Sequence, residues 1–340
     1  MHLIDLIALL SKPSAYPHAT GPIEVHQTHI SAVFLAGPFV YKIKKPIDLG
    51  FLDFTSLQKR RFYCDEEVRL NRRLAANVYL GVVPITRDGV EAGGAVVEWA
   101  VKMQRLPSDA TLETHVERGT VTPEQITSVA ERVARFHQSA ETNPRISSFG
   151  RFDVVAGNAR ENFVQTEAHI GAAVSAEVHR RLRERTETVL GELRELIESR
   201  AARNVPRDTH GDLHLDHVYL FPDQAPPNDM VLIDCIEFAD RFRFADPVAD
   251  MAFLVMDLKV HGRRDLAQLF ANKYFDVSGD SEGQALLPFY SAYRAMVRAK
   301  VEGMKFVERE VSAAERQTAE QQARAHWLLA LAELAGGSSE

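Results

Sequence analysis

Thr209-His210-Gly211-Asp212-Leu213-His214-Leu215-Asp216-His217, followed by Val231-Leu232-Ile233-Asp234-Cys235-Ile236-Glu237-Phe238, is the stretch on which the reading of this chain turns. The first run packs five ionisable or metal-competent side chains into eight positions; the second is an apolar, β-type run that leads into a carboxylate. Between them lie a short strand-like run, Val218-Tyr219-Leu220, and a turn-rich segment with Pro222, Asp223, Pro226, Pro227, Asn228 and Asp229. A hairpin joining the two runs brings Asp212, His217 and Asp234 to neighbouring strand ends. Phosphoryl transfer needs such parts: one carboxylate to orient the attacking hydroxyl and another to hold the divalent metal that neutralises the phosphates.

His210-Gly211-Asp212-Leu213-His214 resembles the catalytic loop of the aminoglycoside phosphotransferase and choline kinase branch of the protein-kinase-like fold. Ile233-Asp234 resembles that fold's metal-binding position. The resemblance implies that Asp212 is the catalytic base, that Asp234 is a metal ligand and that His210 shapes the loop. The family usually carries Asn five residues after the base, where this chain has His217. Imidazole is bulkier than an amide and softer than magnesium prefers, so His217 as second metal ligand points toward manganese tolerance or weak catalysis. A rival reading stays open. Asp212-Leu213-His214-Leu215-Asp216-His217 is one residue away from the His-x-His-x-Asp-His zinc motif of metallo-β-lactamase-type hydrolases, which needs further ligands from separate loops.

Upstream, Ile23–Thr28, Ser31–Leu35 and Phe39–Lys44 read as three strands, with turns at His29-Ile30 and Ala36-Gly37-Pro38. Lys42 and Lys44 share one face of the third. By the resemblance, a lysine on this strand grips the nucleotide phosphates; Lys42 follows the apolar run directly and is preferred, with Lys44 as the alternative. Solvated edge charges are the plain reading of both. No Gly-x-Gly-x-x-Gly separates the first two strands, so Thr28-His29-Ile30-Ser31 reads either as the phosphate-covering loop, through the Thr28 and Ser31 hydroxyls and backbone N–H groups, or as a plain polar hairpin turn. Leu57 to Leu74 has helical periodicity; the resemblance implies that this helix supplies the carboxylate that orients the lysine, Glu67 first and Glu66 second. Val78–Ile85 and Ala95–Met103 complete five strands with one helix. Met103 to Leu106, including Arg105, is expected to be the hinge whose backbone groups read the adenine.

Beyond the hinge the chain is helical. Thr122-Pro123-Glu124-Gln125 is a capping box with proline at the first helical position, and Phe163 to Glu198 reads as further long, charged helix. His115, His137, His169 and His179 sit singly and read as structural. Asp246-Pro247 opens a helix apolar nearly all round, on which Asp250 needs a partner. In the family an equivalent carboxylate holds the catalytic-loop backbone, a role carried over to Asp250. Two helices span Leu286 to Leu334, the second opened by the box Ser312-Ala313-Ala314-Glu315, and Gly336-Gly337-Ser338-Ser339 reads as a frayed tail.

The bulk properties agree with such a chain. Its 340 residues call for one large bilobal unit or two domains, and 45% hydrophobic with 26% charged residues supply an ample core. A net charge of -7 argues against nucleic-acid binding. Cys64 and Cys235 are too few for a disulfide framework, which fits the reducing cytoplasm. The apolar opening, Met1 to Leu10, contains Asp5 and lacks a basic start, so it reads as an amphipathic helix rather than a signal; no membrane partner is expected.

The resemblance extends over nearly the whole chain. It is nearest to a bacterial aminoglycoside-phosphotransferase-like group with segments matching Tyr41 to Pro46, Phe51 to Phe54 and His210 to Leu215. Many of that group carry a second, P-loop domain; its loop motif is absent from this sequence, so a single nucleotide site is expected. The resulting expectation is an α+β, bilobal protein-kinase-like fold. Residues 1–105 would form a nucleotide-binding lobe and residues 106–340 a helical lobe with the catalytic loop and acceptor site. The activity implied is transfer of the γ-phosphoryl of ATP, with Mg²⁺ or Mn²⁺, to a hydroxyl of a small molecule. A degenerate nucleotide-binding pseudokinase, acting as an interaction module, is the alternative.

Overall fold

The structure, a computed structural model, describes residues 1–18, 20–307 and 313–335. The Ser312 box and the Gly336–Ser339 tail lie outside the described residues. The chain forms two compact units: Met1–Leu112 with Asp216–Asp240, and Glu113–Leu215 with Arg241–Glu340.

The first unit is built on an antiparallel sheet of six strands, β1 (Glu24–Gln27), β2 (Ser31–Ala36), β3 (Phe39–Lys44), β4 (Tyr79–Thr86), β5 (Gly89–Val90) and β6 (Glu98–Gln104), in the order β1-β2-β3-β6-β4-β5. Five strands were expected; β5 is the addition, and two residues are too short to carry a period-two signal. Alternation along β3 decides the rest. Tyr41 and Ile43 pack with Phe34, Ile85 and the Leu6 and Leu10 side chains of α1 (Leu3–Leu10). Val40, on the other face, joins Val101, Met103 and the Cys64 and Val68 side chains of α2 (Leu57–Ala75). Period two therefore turns Lys42 and Lys44 toward α2. That helix is capped by Ser56, whose side chain accepts from the Lys59 N–H at 3.2 Å. The hairpin Val218–Leu220/Met230–Leu232 is antiparallel in register Val218↔Leu232, and its Val231 and Ile233 pack against the α2-side cluster.

The second unit is helical. After α3 (Leu112–Glu117) come α4 (Pro123–Ser139), α5 (Pro144–Ser148), α6 (Phe152–Thr166), α7 (Ala176–Ala202), α8 (Asp240–Arg243), α9 (Pro247–Val260), α10 (Arg264–Ser278), α11 (Leu287–Val307) and α12 (Ala313–Ala335). α4 opens with the expected capping box, Thr122 and Gln125 bonding each other's backbone N–H. The long charged segment is not one helix: α6 stops at Thr166, and α7 starts anew after Ser175, whose hydroxyl caps Val178 N–H at 3.2 Å. Charge content alone did not mark that stop. Every residue of α9 except Asp257, Lys259 and Val260 is buried, and Asp246 caps it through Val248 N–H at 3.0 Å. Arg207–Asp208 pairs antiparallel with Phe244–Ala245, which ties the chain just before the His210 loop to the start of α9. No helix among the described residues is long and apolar enough to cross a membrane.

Candidate active site

In the first unit the two β3 lysines converge on one carboxylate. Lys42 Nζ lies 3.0 Å from Glu67 Oε1, and Lys44 Nζ donates to Glu67 Oε2 at 2.8 Å. Glu67 is fully buried, whereas Glu66 faces outward and pairs with Arg69. Each lysine has a second partner: Lys42 donates to Asp234 Oδ1 at 2.6 Å and Lys44 to Glu237. Burial pushes the Lys42 ammonium down, but Asp234 and Glu67 outweigh it and hold its pKa well above the ordinary value. Burial raises Glu67, and the two lysines more than reverse that, so it sits below the usual carboxylate range. Glu237, buried with a single close lysine and with Glu67 nearby, is raised instead.

Asp234 stands just past the hairpin strand at φ 63°, a backbone region costly for a side-chain-bearing residue. Neighbouring bonds hold it there. Its N–H donates to the Tyr79 hydroxyl at 3.1 Å, the next N–H, of Cys235, donates to Asn71 Oδ1 at 2.8 Å, and Asn71 bonds back to Glu67 O at 2.9 Å. The carboxylate stays 44% exposed beside the Lys42 side chain, which is 14% exposed. His217 Nε2 is 3.9 Å from Asp234 Oδ2 and 4.0 Å from Asp216.

The other nucleotide candidates are placed differently. The Thr28 and Ser31 hydroxyls lie 2.9 Å apart, and Thr28 Oγ1 also accepts the Ser31 N–H at 3.0 Å, so these groups close their own turn. Met103 is a β6 residue with its side chain in the core, paired with Val40 and Tyr79. Arg105 donates its N–H to Pro38 O at 2.8 Å and pairs its guanidinium with Glu24 at 2.7 Å.

In the second unit α9 grips the His210–Leu215 loop with two carboxylates spaced two turns apart. Asp250 accepts from His210 N–H at 3.1 Å and Gly211 N–H at 2.7 Å, and lies 3.0 Å from His137 Nε2. Burial would raise Asp250, yet His137, the loop and Arg294 bring it down to about 2. Asp257 lies 3.0 Å from His214 Nδ1 and accepts from Leu215 N–H at 3.2 Å. His214 Nε2 in turn sits 2.8 Å from Asp212 Oδ1. Although burial disfavours charge on His214, Asp212 and Asp257 push its pKa up to about 10, so it is an imidazolium at neutral pH. Both its nitrogens face carboxylates, which leaves it no lone pair for zinc. Gly211 at φ 89° allows the sharp turn, His210 is buried with Nδ1 accepting the Asp212 N–H at 3.3 Å, and Asp212 is left 37% exposed.

Asp257, Asn71 and the Lys44–Glu237 pair join the site without being among the residues the sequence motifs mark, and His137, structural as expected, supports Asp250. Asp257 carried a signal, since a second carboxylate seven residues after Asp250 repeats on the same face of a buried helix. Glu237 and Asn71 carried none, because their partners are far off in the chain.

No family model matches the chain. Uncharacterized proteins of Mycobacterium tuberculosis and Mycobacterium bovis are each 36% identical over 293 residues, covering 86% of this chain and 57% of theirs. The chain thus spans little more than half the length of these relatives. Among solved structures, a choline/ethanolamine kinase family protein from Mesorhizobium loti superposes with TM-score 0.52 at 13% identity over 98% of this chain and 99% of its own. An amicoumacin kinase, in complex with AMP-PNP, Ca²⁺ and Ami, gives TM-score 0.53 at 13% identity over 96% and 92%. The chain has the kinase-like fold of these proteins. Identity at this level establishes the kinase-like fold alone.

Whether the side chains of the site suit a nucleotide and a metal is a question of donor type. Lys42 offers a charged donor braced by Glu67, and Asp234 a hard, solvent-reaching oxygen. Among the described residues no group of three or more His, Cys, Asp or Glu gathers as a metal cage. A magnesium ion held by one carboxylate and completed by phosphate oxygens and water fits that set, whereas an all-protein site does not.

Proposed function

We propose that the protein is an ATP-dependent phosphotransferase that moves the γ-phosphoryl group to a hydroxyl of a small molecule. The observation that carries this reading is Lys42 held between buried Glu67 and solvent-reaching Asp234. In it Lys42 binds the nucleotide phosphates, and Glu67 keeps the ammonium charged and aimed. Asp234 would hold Mg²⁺, with His217 beside it and Mn²⁺ as the other candidate; a bound divalent ion supplies charge neutralisation on the phosphates. The Thr28–Ser31 turn is assigned to the phosphates, and the backbone from Met103 to Arg105 to the adenine.

Asp212 accepts or orients the acceptor's hydroxyl proton. Its carboxylate is well suited to stay in place, because His214 sits against one oxygen and is itself braced by Asp257. His210 and Asp250 fix the backbone beneath it.

Calorimetry with ATP or GTP and either metal, followed by turnover against a panel of hydroxyl acceptors, tests the reading. Binding should persist in Asp212→Asn while turnover vanishes, and Lys42→Met should lose binding. Absence of nucleotide binding in the unmodified protein refutes the proposal. Nucleotide bound but never turned over, with either metal, favours the pseudokinase alternative that His217 motivates.

A further inference from the structure

Four arginines among the described residues are buried: Arg60, Arg200, Arg243 and Arg294. The first three are neutralised by carboxylates, Arg60 by Glu98, Arg200 by Asp246 and Asp280, and Arg243 by Asp208. Arg294, on α11 and only 6% exposed, has no ion-pair partner among the described residues. Its Nε donates to Ala249 O at 2.8 Å, its plane lies 3.9 Å over the Phe253 ring, and its two terminal nitrogens make no hydrogen bond there. Asp250 feels its charge but is taken up by His137 and the loop N–H groups. A guanidinium held this rigidly, with terminal donors that reach the opening unused, is suited to meet an anion.

Arg294 lines a small, partly open cavity of about 40 Å³ whose walls all belong to the second unit. Phe242, Phe289 and Tyr293 form apolar walls, and Arg241 adds a second cation, paired at 3.2 Å with Glu161. The one carboxylate in the lining, Asp246, is committed to Arg200 and to the cap of α9. The lining therefore presents unspent positive charge among flat apolar surfaces, suited to an anion on an aromatic or apolar body. The cavity also abuts the loop's scaffold: Phe253, under the Arg294 guanidinium, packs 4.5 Å from the His214 ring, and His214 holds Asp212.

We propose that this cavity binds the carboxylate or phosphate group of a small organic anion through Arg294, with Arg241 assisting. Resting on the phosphotransferase reading, that anion is the acceptor, so the class of substrate is an anionic, apolar-bodied alcohol. The test uses benzoate, phenyl phosphate and benzylamine, compared by calorimetry and saturation-transfer NMR on the full chain. One or both anions should bind and the matched cation should not; benzoate against phenyl phosphate separates the carboxylate source from the phosphate one. Arg294→Met should weaken the anion by about tenfold or more, the worth of a charged hydrogen-bond pair. Because Arg294 also packs on Phe253, Val155→Phe serves as the second variant: it fills the cavity, keeps the guanidinium and should weaken the anion likewise. Benzylamine binding as well as the anions, or anion binding unaltered in both variants, overturns the proposal. Loss of the nucleotide reading is separable: ATP binding absent with anion binding intact sinks the phosphotransferase assignment and leaves the anion site standing.

Discussion

Asp257→Asn removes one of the two carboxylates that keep His214 charged. His214 is 4% exposed, and its pKa of about 10 reflects Asp212 and Asp257 overcoming burial. A rise of this size from the ordinary 6.5 corresponds to about 4–5 kcal/mol between the two ionisation states. Asp212 is 37% exposed, so its part is screened by solvent, and about half of the total, roughly 2–3 kcal/mol, falls to Asp257. That is near the cost of breaking a buried pair from one side. The sign follows from linkage. A histidine raised in the folded state contributes fully below 6.5 and loses its contribution as pH climbs through about 10. With Asp257 neutral, the folded pKa drops toward the ordinary value and the loss sets in at lower pH. Urea unfolding of both proteins between about pH 6 and about pH 10, with the His214 ring followed by NMR, measures both quantities. A wild-type His214 midpoint near 6.5, or a variant whose stability differs by less than about 0.5 kcal/mol, refutes the reasoning.

Three further outcomes are expected. Lys42→Met should abolish measurable ATP binding at modest cost in stability, whereas Lys44→Met, which leaves Glu237 buried without its lysine, should cost about 3–5 kcal/mol in urea unfolding. Asp250→Asn should flatten acid unfolding: a carboxylate held near 2 in the folded state stabilises above its ordinary 3.8 and ceases to as pH falls through about 2, so the variant lacks that stretch of the acid curve. Arg200→Met, removing a fully buried guanidinium from Asp246, Asp280 and Glu282, should lower stability by about 3–5 kcal/mol while ATP affinity stays unchanged, read by thermal melts and calorimetry.

Local pattern carried much of the fold. The Thr122 box, the Asp246-Pro247 start of a buried helix and the alternation along β2 and β3 all act over a few residues, where periodicity and capping are decided. Where the governing contact was distant the pattern fell short. β5 forms only because β4 is there to pair it, and the stop between α6 and α7 hangs on one hydroxyl at Ser175. In the candidate site, period two placed Lys42 and Lys44 on a common face but could not say that Glu67 would sit between them.

What the amino-acid order determined alone was an inventory: nine consecutive residues from Thr209 to His217 crowded with chemistry, an apolar run ending at Asp234, and a lysine-bearing strand. Only the tertiary structure decided which charge answers which. Lys42 and Asp234 meet across 192 residues, His214 finds Asp257 across 43, and Arg294 has no ion-pair partner among the described residues. The physical reason is that backbone patterns are set by neighbours in the chain. The ionisation and orientation of a buried side chain are set by whatever packing brings within a few ångströms, and residue spacing carries no record of that.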